Sequence, residues 1–520
     1  MELYIKPVSE IYTQSTEVKR MVVIMSVLAF ALLFVAAMNY ILNSVSSLPI
    51  RARSVGVHKC NGASSKDIFN MFLFETAALF VVALVCMALL LFAFREYVAD
   101  MVAVPTLGTL LNAQTIWLPA IMILAIFILS ALLPARLFSV IPVTQVFRVS
   151  TSGKQGWKRS LLFIQFGGIA FVITLLVIVL LQYDRLMNND LGYDPENIVY
   201  APLNNMDDQK AAKLTAEFKK LPYVTATGLS SMDILSGYGG FPILDNEKNW
   251  LFTARQVNYD ADYLSLMKIP LLEGQPLKGD GDILVNESFV SKRGWTDAAI
   301  GKYIYDDEGN LKGKIVGVTR DFMVNSFFTP QLPVIMFGSD RMSYCNFTVR
   351  VSELTPEYLR EMNDKIAELF PNEDVGFTVL KTIIESQYEG TRHFRDGVFV
   401  ASIAILLITL MGLLGYITDE MHRRSKEIAI RKVNGATAPN ILRLLSKDVL
   451  ITAFPAILLG VIASRVVGES WLRQFADKIP LTVFIFISTA LLVLAIIWGC
   501  VILKSWNIAN ENPVRSIKNE

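Results

Sequence analysis

Seven stretches of this chain, at about 21–42, 68–94, 116–138, 161–182, 396–418, 449–468 and 481–503, are almost free of charge. Each is near the ~20 residues a helix needs to cross a ~30 Å hydrocarbon core. Backbone polar groups inside lipid must be satisfied within the segment, so such runs fold as helices. Between the fourth and fifth runs lies a polar region, 183–395, large enough for a domain of its own. The chain is 53% hydrophobic and only 18% charged, and its charge is concentrated between the apolar runs. The expected fold class is therefore a multi-span α-helical membrane protein of about seven transmembrane helices with an extracytoplasmic α+β domain.

Lysine and arginine near the span ends set the orientation. The segment 43–67 carries Arg51, Arg53, Lys59 and Lys66, and 139–160 carries Arg148, Lys154, Lys158 and Arg159. The segment 419–447 carries Arg423, Arg424, Lys426, Arg431, Lys432, Arg443 and Lys447, and the tail adds Lys504, Arg515 and Lys518. The alternate loops, 95–115 and 469–480, have few. With seven spans all four basic segments share one side. They are expected to be cytoplasmic, as is the C-terminus, with the N-terminus and 183–395 outside.

Two of these basic segments are copies of one design. Arg51-Ala-Arg53-Ser-Val55-Gly-Val57-His-Lys59-Cys-Asn61-Gly62-Ala63-Ser64 superposes without a gap on Arg424 to Thr437. Lys59, Asn61, Gly62 and Ala63 meet Lys432, Asn434, Gly435 and Ala436 as identities, and Arg53 meets Lys426. In the second copy Ile428, Ile430 and Val433 alternate with Lys426, Glu427, Arg431 and Lys432, which predicts a short helix along a surface. Asn434-Gly435 predicts a left-handed stop. Thr437 then caps a second helix with Pro439 in its first turn. A solvated loop needs only to be polar; ungapped repetition of helix, turn and helix points instead to a surface that receives a partner. Each copy lies between two apolar runs, a third run comes next, and the tails Ile141-Pro142-Val143 and Asn512-Pro513-Val514 are alike. This is a parallel internal repeat.

The polar region predicts two βαβ-like units around a β-rich insertion, about 233–344. Strands are expected at 198–200, Val224 to Gly228, Phe347 to Val351 and Val375 to Leu380. Helices are expected over 208–221, with Leu214, Phe218 and Leu221 on one face, and after Thr355-Pro356, with Leu359, Met362 and Ile366 on one face. Further strands are expected at 282–286 and 314–318.

Several chemistries find no support. The chain has no Gly-x-x-x-x-Gly-Lys-[Ser/Thr], so any ATP hydrolysis comes from another chain. Its histidines are His58, His393 and His422, none well inside the polar region, which argues against a histidine metal site or triad there. Only Cys345 of the four cysteines lies in that region, so no disulfide forms within it. Asp280, Asp282 and Glu287 match no calcium-loop spacing and are expected in solvated turns. Phe322, Phe327 and Phe328 are expected to pack the domain, and Gly167-Gly168 and the Gly412 to Gly415 stretch to let helices approach. No basic domain suggests nucleic acid.

The same residues resemble a known family. Glu427-Ile-Ala-Ile-Arg431-Lys432-Val-Asn434-Gly435-Ala436-Thr437 is similar to the signature of FtsX-like permeases, the membrane subunits of MacB-type (type VII) ABC transporters. Leu191-Gly192-Tyr193-Asp194, Glu196-Asn197-Ile198, Val285-Asn286-Glu287-Ser288, Ile315-Val316-Gly317-Val318 and Arg320-Asp321-Phe322 resemble, in order, the periplasmic core domain of that family. The resemblance implies a non-catalytic permease subunit of the bacterial inner membrane that works by mechanotransmission. ATP and magnesium would sit on a partner ATPase, with no cofactor or metal on this chain. The coupling residues would be Lys426, Glu427, Ile428, Ile430, Arg431, Lys432, Asn434, Gly435, Ala436 and Thr437, with Arg53, Lys59, Asn61, Gly62 and Ala63 in the first copy. Ser54 and His58 replace Glu427 and Arg431 there, so unequal engagement is expected if Glu427 pairs with the ATPase.

The implied organisation is an extracytoplasmic N-terminal remnant over 1–20 and a first FtsX-like three-span repeat over 21–140. A cytoplasmic linker at 141–160 and a fourth span at 161–182 lead to a MacB-like core domain over 183–395. A second repeat over 396–505 and a cytoplasmic tail over 506–520 complete the chain. Longer two-repeat members have a further span and a first outer domain. Tyr4 to Ser15 is comparable with Val379 to Glu389, so the chain is expected to be a shortened member or a fragment. Export or extraction of a substrate, with a periplasmic adaptor, is the leading expectation. The alternative is an FtsX-like regulator that drives a periplasmic cell-wall hydrolase; a membrane enzyme is a third class, without a nucleophile–base pair to support it. Membrane lipid and a further copy of the chain are the remaining expected partners.

Overall fold

The structure is a computed structural model, and it describes residues 16–46, 48–101, 112, 116–139, 156–206, 208–235, 239–245, 247–295, 299–324, 330–338, 344–371 and 373–510. The expectations placed on Tyr4 to Ser15, Arg148, Lys154, Phe327, Phe328 and the two Pro-Val tails lie outside these residues. The chain divides into two units. One comprises Met1–Tyr183, Thr391–Arg473 and Ile479–Glu520; the other comprises Asp184–Gly390 and Gln474–Lys478.

The first unit is helical. Its elements are α1 (Thr16–Ser46), α2 (Leu48–Cys60), α3 (Ser65–Ala93), α4 (Arg95–Met101), α5 (Trp117–Ser139) and α6 (Gly156–Asn188). After the second unit come α12 (Glu389–Arg423), α13 (Ser425–Val433), α14 (Ala438–Leu472) and α15 (Val483–Asn510). Among the described residues six helices, α1, α3, α6, α12, α14 and α15, are long and apolar enough to span a membrane. The predicted run 116–138 also forms a helix, α5, and Pro119–Leu132 is an apolar stretch of it among the described residues. Half of the apolar window of α6 is buried, against 6% of that of α3. α6 is thus surrounded by other helices, while α3 shows Phe74, Leu79, Val82 and Leu89 outward, the face lipid would cover. Glycine lets α6 and α14 touch backbone to backbone. A Cβ on Gly460 would fall 2.2 Å from the Gly167 carbonyl oxygen, and one on Gly167 would meet the Ala456 carbonyl at 3.3 Å.

The second unit is α+β. Its strands are β1 (Ile198–Met206), β2 (Val224–Ser230), β3 (Gly239–Leu244), β4 (Trp250–Tyr259), β5 (Leu271–Gly274), β6 (Asp282–Asn286), β7 (Tyr303–Tyr305), β8 (Leu311–Thr319), β9 (Val334–Gly338), β10 (Tyr344–Val351) and β11 (Thr378–Val379). Its helices are α7 (Asp208–Phe218), α8 (Tyr263–Met267), α9 (Glu287–Arg293), α10 (Pro356–Leu369) and α11 (Leu380–Gln387). The sheet order is β11-β1-β10-β2-β4-β9-β6-β8-β5, with β3 on β4 and β7 on β8. The two βαβ stretches interlock: β10 lies between β1 and β2, and β1 between β10 and β11, each antiparallel to its neighbours. α7 and α10 cover this part through Ala211, Leu214, Phe218, Met362 and Ile366. Thr355 starts α10 by accepting the Tyr358 N–H at 3.2 Å. Two sequence expectations differ from the structure. The helix begun near 208 stops at Phe218, and the strand expected over 375–380 shrinks to two residues because Leu380 begins α11.

Three motifs of the polar region, around Gly192, Asn286 and Asp321, meet at one place. Gly192 has φ +75° and a Cβ there would lie 2.4 Å from the Asp321 carbonyl oxygen, so only glycine fits. Asn286 donates to Asp321 at 2.6 Å, Ser288 Oγ donates to Asp321 at 2.6 Å, and the Asp321 N–H donates to Glu287 at 3.1 Å. Buried Asn286 also accepts from Val334 at 2.8 Å. These residues pin β6, β9 and the turn after β8, which is a structural role. Asp282 accepts from the Lys278 N–H at 2.9 Å, and Phe322 is buried, as packing requires.

Candidate functional site

The two repeated segments form two elbows with the same backbone. In the first, Gly62 N–H donates to Lys59 C=O at 3.1 Å and Ala63 N–H to His58 C=O at 3.0 Å. In the second, Gly435 N–H donates to Lys432 C=O at 3.0 Å and Ala436 N–H to Arg431 C=O at 2.9 Å. Both are Schellman stops of α2 and α13. The glycines alone carry positive φ, +94° at Gly62 and +87° at Gly435. The neighbouring Asn434 has φ −82°, so it sets no left-handed turn itself. No atom lies within 4 Å of a Cβ placed on either glycine, so the requirement is one of backbone conformation and not of space.

Each short helix has an anchoring side and a free side. Val55 is buried against Ile68, Phe72 and Ala135. Its counterpart Ile428 is buried with Ala429. Val57 is 53% exposed, Ile430 62% and Val433 68%. The sequence pattern groups Ile428, Ile430 and Val433; the structure separates Ile428 as the anchor from Ile430 and Val433 as an outward apolar edge. Two residues apart on a helix is about 200°, so opposite sides follow from geometry. The side chains of Arg53 and Lys426 lie outside the described residues.

The surroundings of the elbows differ. At the first, Ser64 and Asp67 form a capping box at the start of α3: the Ser64 N–H donates to Asp67 at 2.9 Å and Ser64 Oγ accepts the Asp67 N–H at 3.3 Å. Lys59 Nζ donates to the Ser139 carbonyl at 2.9 Å, tying α2 to the end of α5. At the second, Thr437 holds the N-cap position of α14 with extended backbone but makes no side-chain cap bond. Glu427 accepts from Arg431 at 2.8 Å along α13. It is already engaged by the Arg431 one turn on, the i,i+4 geometry that favours such pairs.

Behind the second elbow stands a group of charges that sequence reasoning missed. Arg424, at the bend between α12 and α13, donates to Glu420 and to Asp448. Asp448, on α14, also faces Arg159 of α6 at 3.3 Å, and Lys158 of α6 reaches Asp419 of α12 at 2.7 Å. Arg423 holds Glu420 at 2.6 Å. Burial opposes the Arg424 charge, but the Glu420 and Asp448 carboxylates outweigh it and raise its pKa above the ordinary arginine value. One signal for this group is legible in the residues: Asp448 is an acidic residue close to an apolar run, and such residues are seldom idle.

The model of the family described as FtsX-like permease C-terminal matches residues 26–143 and 399–513, a segment around each elbow. Among solved structures, the periplasmic region of MacB from Actinobacillus actinomycetemcomitans is 13% identical, covering 39% of this chain and 97% of that one, with a TM-score of 0.29. A domain of a putative permease protein from Porphyromonas gingivalis is 14% identical, covering 37% and 98%, with a TM-score of 0.27. The extracellular domain of the noncanonic ABC-type transporter YknZ from Gram-positive bacteria is 11% identical, covering 35% and 99%, with a TM-score of 0.26. No curated protein matches the chain.

Proposed function

The chain belongs to the FtsX-like permease family, with two copies of the permease segment, and on that premise we propose that it couples ATP hydrolysis by a separate ATPase to movement of its α+β domain. The observation that carries this reading is the pair of matched elbows, each with an apolar residue held outward on an anchored helix. A membrane-inserted loop has no reason to expose Val57, Ile430 and Val433 while burying Val55 and Ile428 unless a partner covers the exposed edge. The basic residues flanking the spans support a cytoplasmic position for both elbows and an extracytoplasmic one for the α+β domain.

The partner is an ABC ATPase that binds ATP and magnesium itself. Closure of two ATPase subunits draws the elbows together, and each rigid Schellman stop passes the displacement to its spans. α6 and α12 leave the two ends of the α+β domain, so they carry the motion outward. The domain then exports or extracts a substrate, with a periplasmic adaptor as a further partner.

Purification of the full chain from its native membrane tests this reading. A P-loop ATPase is expected to co-purify, and to be lost with Gly435→Pro or with Ile430→Glu/Val433→Glu. Retention of the same ATPase by both variants would contradict coupling through the elbows. Capture of a cell-wall hydrolase by the α+β domain, without ATP-dependent efflux, would turn the reading to regulation.

A further inference from the structure

The geometry points to Arg424 as a positioning residue, the hub of a charged clasp that fixes the second elbow to α6, α12 and α14 and carries force from it into those helices. The inference rests on the coupling reading above. Three pieces of chain meet at the clasp: the start of α6 through Lys158 and Arg159, the end of α12 through Asp419, Glu420 and Arg423, and α14 through Asp448. The Glu420 side chain is only 7% exposed and that of Arg424 16%. Charges so enclosed stay charged only while paired, so the clasp holds one arrangement strongly and tolerates few others. Apolar contacts between spans can slide; a planar guanidinium shared between two carboxylates on different helices cannot slide without losing one of them.

The position of Arg424 gives the clasp its consequence. Its backbone is the junction of α12 and α13: its N–H donates to Glu420 C=O at 3.0 Å, and its C=O accepts the Ile428 N–H at 2.8 Å. Displacement of α13 therefore acts directly on a residue whose side chain grips α14 and whose neighbours grip α6. The first repeat carries only part of this charge set in its sequence. By the same ungapped alignment Ser46 and Ser47 stand where Asp419 and Glu420 stand, although Arg51 and Glu75 match Arg424 and Asp448. α6 comes after the first repeat in the chain, yet its two basic residues pair with the second.

The test uses the full chain in lipid nanodiscs with Arg424→Gln, Asp448→Asn and Asp448→Glu. Amide exchange is followed over 425–437, with 54–64 of the first elbow as internal control. Arg424→Gln and Asp448→Asn are expected to speed exchange at the second elbow by about tenfold and leave the first unchanged, while Asp448→Glu stays near wild type. Unchanged exchange at the second elbow, or equal acceleration at both, would overturn the clasp. A second readout places spin labels on the α+β domain with the native ATPase bound. Asp448→Asn is expected to keep the ATPase but lose more than half of the ATP-driven distance change; a full change would overturn the inference. If the wild-type chain holds no ATPase, the coupling reading fails, and the exchange comparison alone still decides the clasp.

Discussion

The two elbows share a backbone and differ in what holds it. The first is stabilised by a capping box at Ser64 and Asp67 and is tied by Lys59 to the end of α5. The second lacks a side-chain cap at Thr437; it carries the Glu427–Arg431 pair within α13 and is held from behind by Arg424. One bend is therefore supported at its cap, and the other by the charges behind it. A duplicated unit that keeps its glycine turn while exchanging its supports has kept the shape and divided the labour.

The largest expected effect breaks the comparison at the exposed edges. Ile430→Glu with Val433→Glu is expected to reduce ATPase retention at least about tenfold, or ~1.4 kcal/mol. Val57→Glu is expected to reduce it by a few-fold; co-purification under matched expression checks both, and equal losses would make the elbows equivalent. Next, Gly62→Ala and Gly435→Ala are each expected to cost their own elbow about 1–2 kcal/mol, because an L-residue must adopt positive φ where space is otherwise free. Local hydrogen exchange measures this, and similar values at the two sites are the expected outcome.

A smaller and more discriminating contrast lies at the caps. Ser64→Ala is expected to cost about 1 kcal/mol at the start of α3. Thr437→Ala is expected to cost close to nothing, since no side-chain bond is lost. Equal effects in exchange at 65–69 and 438–442 would contradict the distinction between a capped and an uncapped elbow. The smallest effect is a transplant. Ser54→Glu with His58→Arg installs in α2 the pair seen in α13 and is expected to slow exchange there by the equivalent of ~0.3–0.5 kcal/mol.

Much of this fold is legible in the residues, because its causes are local. Apolar length announces a span, and the glycine of a Schellman stop can be read from the Asn61-Gly62 and Asn434-Gly435 pairs at the ends of their short helices. The repeat shows itself through identities that no propensity argument would weigh. Other features depend on contacts between distant parts of the chain. Which of Ile428 and Ile430 faces inward is decided only when α13 lies against its neighbours. Glu420 and Arg424 are adjacent turns of helix, but Asp448 and Arg159 reach them from other helices, so the clasp has no signature in any one window. The interlocked strand order is similar: β10 enters between β1 and β2 from more than a hundred residues away.

Photo-crosslinking from both outward edges tests the central claim most directly. With a crosslinker at residue 57 and, separately, at residue 430 of the full chain in native membranes, both positions are expected to capture the same P-loop ATPase. Yield at both should rise when the ATPase is trapped with ATP. Labelling of either position by a membrane-impermeant reagent from the outside, or capture of no ATPase from both while the chain remains folded, would contradict a permease driven through two elbows on one face of the membrane.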